Sequence, residues 1–391
     1  MCQCHFTRKG DNTDRIYNLT IRDMKNMKFL KLLLFMILAM FCTILPLMAV
    51  IVDGNFTYWS NFGGASLIIY SYSVEGDDTE VVIPDTFDDK PITGIMGMNK
   101  KVTKVTLSST LETLMENAFK DTQISEIFLP KSLKQVDKLA FNNCRNLKTV
   151  IIESGSNIEF SGNPFVRLFG IEAIKDENGK IYGTESIVLY NNIMLAYRGN
   201  KMDGDNEEWP RRAVEEEIII PKEINGEKIT TIGAFAFYDN FETKKIIIPD
   251  TVTKIGDGAF CSTRSLEEIT IPENVIEIGT DLFAYSYKLK TASLPENMAS
   301  IPKHTFLGCS ELESLTLPSN IKSIGEYAFY QCSKLKSIVI PEGVTRIEDY
   351  AFADCTSLEE ITLPTTLKEL GKNTFKGCTA LKTIVLPEKD E

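Results

Sequence analysis

Pro249, Pro272, Pro295, Pro318, Pro341, Pro364 and Pro387 stand 23 residues apart without a slip. The same residue types return around each of them. Six before comes Leu266, Leu289, Leu312, Leu335, Leu358 or Leu381, and eleven after comes Phe260, Phe283, Phe306, Phe329, Phe352 or Phe375. Mostly branched apolar residues fill the positions three and one before and three and six after. A period of this size specifies a stack of coils, not a globule. One coil orders its residues at roughly 1–2 kcal/mol of backbone entropy each. Its half-dozen apolar side chains return about 1.5–3 kcal/mol apiece on burial. A coil cannot stand alone, so each must bury its flat faces on its neighbours.

Weaker copies precede this block. Val81-Val82-Ile83-Pro84 opens a first run, Val105-Thr106-Leu107-Ser108 keeps the pattern with Ser in the proline slot, and Ile127-Phe128-Leu129-Pro130 follows. Phe119 and Phe141 hold the expected offsets, and Glu153 replaces the next proline. The unit Pro341 to Leu363, PEGVTRIEDYAFADCTSLEEITL, resembles the bacterial BspA-type leucine-rich repeat. So do VVIPDTFDDKPITGI at 81–95 and IIIPKEINGEKITTIGAFAF at 218–237. The match spans about 79–153 and 216–387. It implies a repeat solenoid, a right-handed leucine-rich-repeat superhelix with a parallel β-ladder, on secreted or surface proteins. The resemblance also implies adhesin-like binding of host or microbial surface macromolecules.

The rest of the chain frames these coils. Lys25, Lys28 and Lys31 precede an uncharged apolar run from Leu32 to Val52, the pattern of an export signal. Cleavage is expected near Ala49, with an uncleaved membrane anchor as the alternative. Residues 1–52 therefore form a leader and 53–78 an N-terminal β cap. In the cap, Phe56, Tyr58, Trp59, Leu67, Ile68 and Tyr70 flank Gly63-Gly64 as strand, turn, strand. Residues 154–215 interrupt the period. There Ile187–Tyr190 and Ile193–Tyr197 flank Asn191-Asn192, a hairpin expected to dock on the side of the solenoid. A second repeat block, 216–391, completes the chain.

Net charge is −12. The leader carries +4 of this and residues 53–391 carry −16, which disfavours nucleic acid and anionic membranes as partners. Membrane contact is expected only through an uncleaved leader, and self-association only at the C-terminal coil. His304 is the one histidine after the leader, so no Ser–His–Asp triad or His-based zinc site has a partner set. Asp203-x-Asp205-x-Glu207 resembles a calcium loop, but Glu208 stands where that loop needs Gly. No metal, cofactor or catalytic residue is expected. Cys144, Cys309, Cys332, Cys355 and Cys378 share one slot, fourteen after the proline position, which Thr122, Asn240, Thr263 and Ser286 fill elsewhere. A small hydrogen-bonding residue in a buried turn explains all nine, so the cysteines read as a structural thiol ladder before disulfides.

Alternate strand residues point outward. The positions four and two before each proline therefore make two columns: Glu268/Thr270, Thr291/Ser293, Ser314/Thr316, Ser337/Val339 and Glu360/Thr362. They form a long hydroxyl-rich face without an aromatic anchor. The expectation is an exported binding module that engages a host or microbial surface protein or glycan on this face. A structural spacer is the alternative, and a hydrolase comes third.

Overall fold

The structure, a computed structural model, describes residues 50–60, 64–74, 79–165, 171, 173–184, 187–197 and 216–385. The expected signal run and its cleavage region up to Ala49, the acidic loop Asp203 to Glu208, and Pro387 to Glu391 lie outside them. The chain is a parallel β-solenoid of about 13 turns with coils of about 23 residues. No helix occurs among the described residues.

Each coil, named below by its proline-slot residue, makes three sides. The first is a strand ending just before the proline. Lys245–Ile247, Glu268–Thr270 and Thr291–Ser293 pair in parallel, residue for residue at the repeat spacing. The second is a two-residue strand, as in Thr231–Ile232, Lys254–Ile255 and Glu277–Ile278. On the third side the chain turns through two left-handed residues four apart. Asn117 and Asp121, Asp281 and Tyr285, and Tyr350 and Asp354 all have φ between 57° and 65°. This alternation aims successive N–H groups along the axis. Asp281, Phe283 and Tyr285 donate to the carbonyls of Lys303, Thr305 and Leu307 at 2.9, 2.8 and 2.6 Å. Every side is thus satisfied by the neighbouring coil, as buried backbone requires.

Between the sides lies a ring column. Phe260, Phe283, Phe306, Phe329 and Phe352 are buried and stack at centroid distances of 5.8, 5.4, 5.2 and 4.9 Å. Phe119, Phe141 and Phe165 stack likewise in the first block at 5.4 and 5.7 Å. The repeat's invariant-looking Phe is thus the core itself.

Two expectations change. The cap is a three-strand meander, and its first strand, Val50–Asp53, takes in the end of the apolar run assigned to the leader. Its last strand, Leu67–Tyr72, pairs in parallel with Lys90–Ile95 and so starts the short-strand ladder. The hairpin of the interruption is in line with the solenoid, not beside it. Ile193-Met194 pairs in parallel with Thr231-Ile232, and Tyr197 stacks on Phe237 at 5.4 Å. Tyr190 on the other strand accepts a hydrogen bond from the Ile158 N–H at 3.3 Å and packs on Phe160. The hairpin joins the two blocks by standing in for a coil.

Both strand ladders lapse around the Pro295 coil. Short-strand pairing ends at Glu277–Ile278 and resumes at Ser300–Ile301. The cause is Pro302. Its slot donates an N–H to the preceding coil from Gly256, Gly279, Gly325, Glu348 and Gly371 at 2.7–2.9 Å, and proline has none to give. Long-strand pairing ends at Thr291–Ser293 and resumes at Ser337–Val339. Ala292 still lies in a paired strand, whereas Ser314 to Thr316 forms none and carries Leu315 where the paired strands carry the β-branched Ile246, Ile269, Ile338 and Ile361. Strand preference rests largely on such packing. The turn side and the ring column run on unbroken.

Because coils are coupled to their nearest neighbours, Phe306→Ala should cost about 3–5 kcal/mol, felt locally. Hydrogen exchange should accelerate in the coils of Phe283 and Phe329 and stay unchanged in Phe56–Ser60. Equal loss of protection in the cap would refute the column as a chain of local contacts.

Candidate functional site

The long-strand side presents the outward columns. Glu268, Thr270, Thr291 and Ser293 are exposed. With Lys245, Ile247, Asp250 and Pro272 they line an open groove of about 550 Å³. Ser337, Val339 and Glu360 are exposed and Thr362 half-buried, on paired strands farther along. Ser314 and Thr316 are exposed too, but they fall in the lapse and belong to no strand. The continuous two-column face expected from the period is therefore two stretches with an irregular coil between them.

The face is also more apolar than the second block alone suggests. In the column two before the proline slot, Val82 is 70% exposed, Phe128 43%, Ile219 65%, Ile247 39% and Val339 66%. Phe128 supplies the aromatic that the sequence reading found missing. Its signal was present in the same offset of the first block. Ile219 and Ile247 are paired neighbours, so they extend the groove as one apolar strip.

Charge on this side is arranged coil by coil. The position five before the proline slot reads Glu216, Lys244, Glu267, Lys290, Glu313, Lys336, Glu359, Lys382. Lys244 reaches Glu216 at 2.7 Å, Lys290 reaches Glu267 at 2.7 Å, and Lys382 reaches Glu359 at 3.0 Å. Lys245 pairs with Glu268 one column over at 3.0 Å. The hydrogen bond and then the charge of Glu268 push the Lys245 ammonium upward, and the same two effects of Lys290 hold the Glu267 carboxyl low. In-register stacking would bring like charges together, and alternation avoids it. Exposed pairs of this kind add little stability. They set the polarity of the rim.

The cysteines lie inside. Cys309, Cys332, Cys355 and Cys378 each donate an S–H to the carbonyl of the Phe one coil back, Phe283, Phe306, Phe329 and Phe352, at 3.2, 3.2, 3.1 and 3.0 Å. Cys144 does so to Phe119 at 2.8 Å, and Ser286 to Phe260 at 2.9 Å. All six described cysteines are free thiols. Burial pushes Cys144 and Cys261 up to about 11. Cys378 is half-buried and shifts the other way, chiefly through its hydrogen bond with Cys355.

Among the described residues no group of three His, Cys, Asp or Glu side chains is placed to hold a metal ion. His304 contacts Asp281, Nδ1 to Oδ1 at 2.8 Å, on the turn side. A second hollow, about 470 Å³, lies between Lys180, Tyr182 and Asn192 and the tight turn Asn225-Gly226.

The BspA type Leucine rich repeat region family matches the chain in six copies, over residues 96–182, 230–357 and 300–391. No curated protein matches it. Among solved structures, a leucine-rich repeat protein from Eubacterium ventriosum is similar at 23% identity with a TM-score of 0.59, covering 86% of this chain and 96% of its own. That likeness shows the fold. One from Bacteroides ovatus has 22% identity and a TM-score of 0.40, covering 85% and 93%. A leucine rich cell surface protein from Faecalibacterium prausnitzii has 21% identity and a TM-score of 0.34, covering 88% and 96%.

The thiols give two tests. At pH 8.5 iodoacetamide should alkylate Cys378 in the native protein well before Cys309, Cys332 or Cys355, as peptide mass spectrometry would reveal. Equal rates would contradict the buried ladder. Folding raises the Cys144 and Cys261 pKa above the ordinary value of 9.0 to about 11, so the folded state holds more protons in that window. Stability is then complete below about pH 9 and falls as pH rises toward 11. Cys144→Thr, the residue of the same slot at Thr122, should make that fall shallower in urea melts. An unchanged slope would deny Cys144 its part.

Proposed function

Because the chain belongs to the BspA-type leucine-rich repeat family, we propose that it is a surface-exposed binding protein that docks a protein along its strand face. It holds its partner by extended contact and performs no chemistry of its own. The observation that carries this reading is the open groove over the Pro249, Pro272 and Pro295 coils. The apolar strip Ile219 and Ile247 continues it in the same outward column. Exposed apolar side chains rimmed by charge are the usual composition of a docking surface. Lys245, Glu268 and the alternating rim set register and encounter rate more than affinity. Phe128 and Val339 lie farther along the rod, so contact spreads over many coils and multivalent attachment multiplies it. Placement outside the cell is part of the same reading and rests on the Lys25-to-Val52 pattern.

A pull-down of the full chain against extracellular-matrix proteins and cell-surface proteins tests it. Ile219→Asp with Ile247→Asp should reduce capture about tenfold or more, since central apolar contacts carry most binding energy. Thr356→Asp, on the turn side, should leave capture intact. Undiminished capture by the Ile219/Ile247 variant would remove the strand face from the proposal.

A further inference from the structure

The turn side carries a feature that neither the fold nor the strand face uses. Its two left-handed positions suit residues that tolerate positive φ, and several coils comply with Gly258, Gly308, Asn373 or Gly377. Bulky residues also take such positions, Leu139 and Phe235 in earlier coils and then one in each of four successive coils. Tyr285, His304, Tyr327 and Tyr350 occupy such positions at φ 62°, 59°, 54° and 57°. A bulky side chain there is an outlier, at a cost of roughly 1–2 kcal/mol per residue.

These rings and their neighbours gather on the turn side in two groups, with Tyr285 near enough to Tyr330 to act on it electrostatically. His304 lies 5.6 Å from Tyr327, Tyr327 stacks on Tyr350 at 4.9 Å, and Tyr330 meets Tyr327 at 5.4 Å. Tyr285 lies across Gly308 and 6.2 Å from Tyr287. Stacking recovers part of the backbone cost for Tyr327 and Tyr350. It does not account for Tyr285 and Tyr287, which remain 42% and 43% exposed.

Planar polar groups are fixed among the rings. Asp281 holds His304 at 2.8 Å, Asn373 donates to the Tyr350 hydroxyl at 2.8 Å, and Asp354 hydrogen-bonds the Tyr330 hydroxyl. The flanking charges Lys303 and Glu326 neutralise each other at 2.6 Å.

We propose that the tyrosine surface of the Pro272 to Pro341 coils is a second binding site, for a neutral polysaccharide. A sugar ring offers C–H faces to an aromatic ring and pairs of hydroxyls to planar donors and acceptors already held in place. With Lys303 taken up by Glu326 and the Asp281 and Asp354 carboxylates standing among the rings, the patch disfavours an anionic ligand. Protein partners seat anchors in packed pockets, and both hollows described above lie on other sides. At about 4.8 Å per coil the patch runs roughly 15–20 Å along the axis, enough for a short run of sugar units.

Native affinity electrophoresis of the full chain through gels of mixed-linkage β-glucan, xylan, galactomannan or dextran tests this. At least one polymer should retard it. A triple variant takes the residues of equivalent slots, Tyr285→Gly, Tyr287→Ser and Tyr330→Ala, as in Gly308, Ser310 and Ala353. It should lose retention at least tenfold while Tm holds or rises, because Gly relaxes the φ of position 285. Tyr285→Phe keeps the ring and should retain binding. Passage through all four gels without retardation overturns the proposal, as does undiminished retention by the triple variant. A lowered Tm in that variant assigns the rings to packing and overturns it too. So does capture of a protein, but no polysaccharide, through these rings. Ile219→Asp with Ile247→Asp should not affect retention, which separates this site from the strand face.

Discussion

Everything in this molecule depends on equal positions of successive coils lying one above another. That in-register contact lets one Phe per coil become a continuous ring column. It also lets N–H groups on all three sides find carbonyls in the adjacent coil, since bonding inside a coil is confined to tight turns and two short antiparallel pairs, Thr86–Phe87 with Lys90-Pro91 and Glu223–Ile224 with Glu227–Lys228. The strand side, the short-strand side and the left-handed turns are three ways of meeting one demand. Backbone polarity must be satisfied largely between coils because the tight turns within a coil satisfy only part of it.

The same demand explains the slots that looked chemical. A thiol, a Ser hydroxyl or a Thr hydroxyl fourteen after the proline reaches a Phe carbonyl, its own or that of the coil before, so the buried cysteines share one role with Ser286 and Thr263. Lys and Glu alternate because identical neighbours would repel. What is left unexplained by stacking is therefore informative. The apolar residues Val82, Phe128, Ile219, Ile247 and Val339 on the strand side, and Tyr285 and Tyr287 on the turn side, contribute little to the column. They are the places to look for partners.

Much of this was legible in the residues. The proline period fixed coil length and register, and strand alternation placed Glu268, Thr270, Thr291 and Ser293 outward. The groove was not legible, because concavity depends on how coils tilt over many residues. The hairpin at Ile187–Tyr197 announced itself locally through Asn191-Asn192. Its position in line depended on pairing with Thr231-Ile232, about forty residues away, which no local preference encodes. Phe128 was missed for a simpler reason. The columns were drawn from the regular second block, and the decayed copies hold the departures. Pro302 was visible throughout, yet its effect follows only once the N–H it lacks is known to bridge coils.

The alternation of Glu and Lys along the rim has a consequence for how such a gene can change length. Losing one coil between Lys244 and Lys382 would keep the Phe column in register and bring two identical charges together at the junction. Losing two would restore the sequence of signs. Recombination among these copies is thus biased toward even steps, so lineages carrying this rim should differ by pairs of coils more often than by single ones.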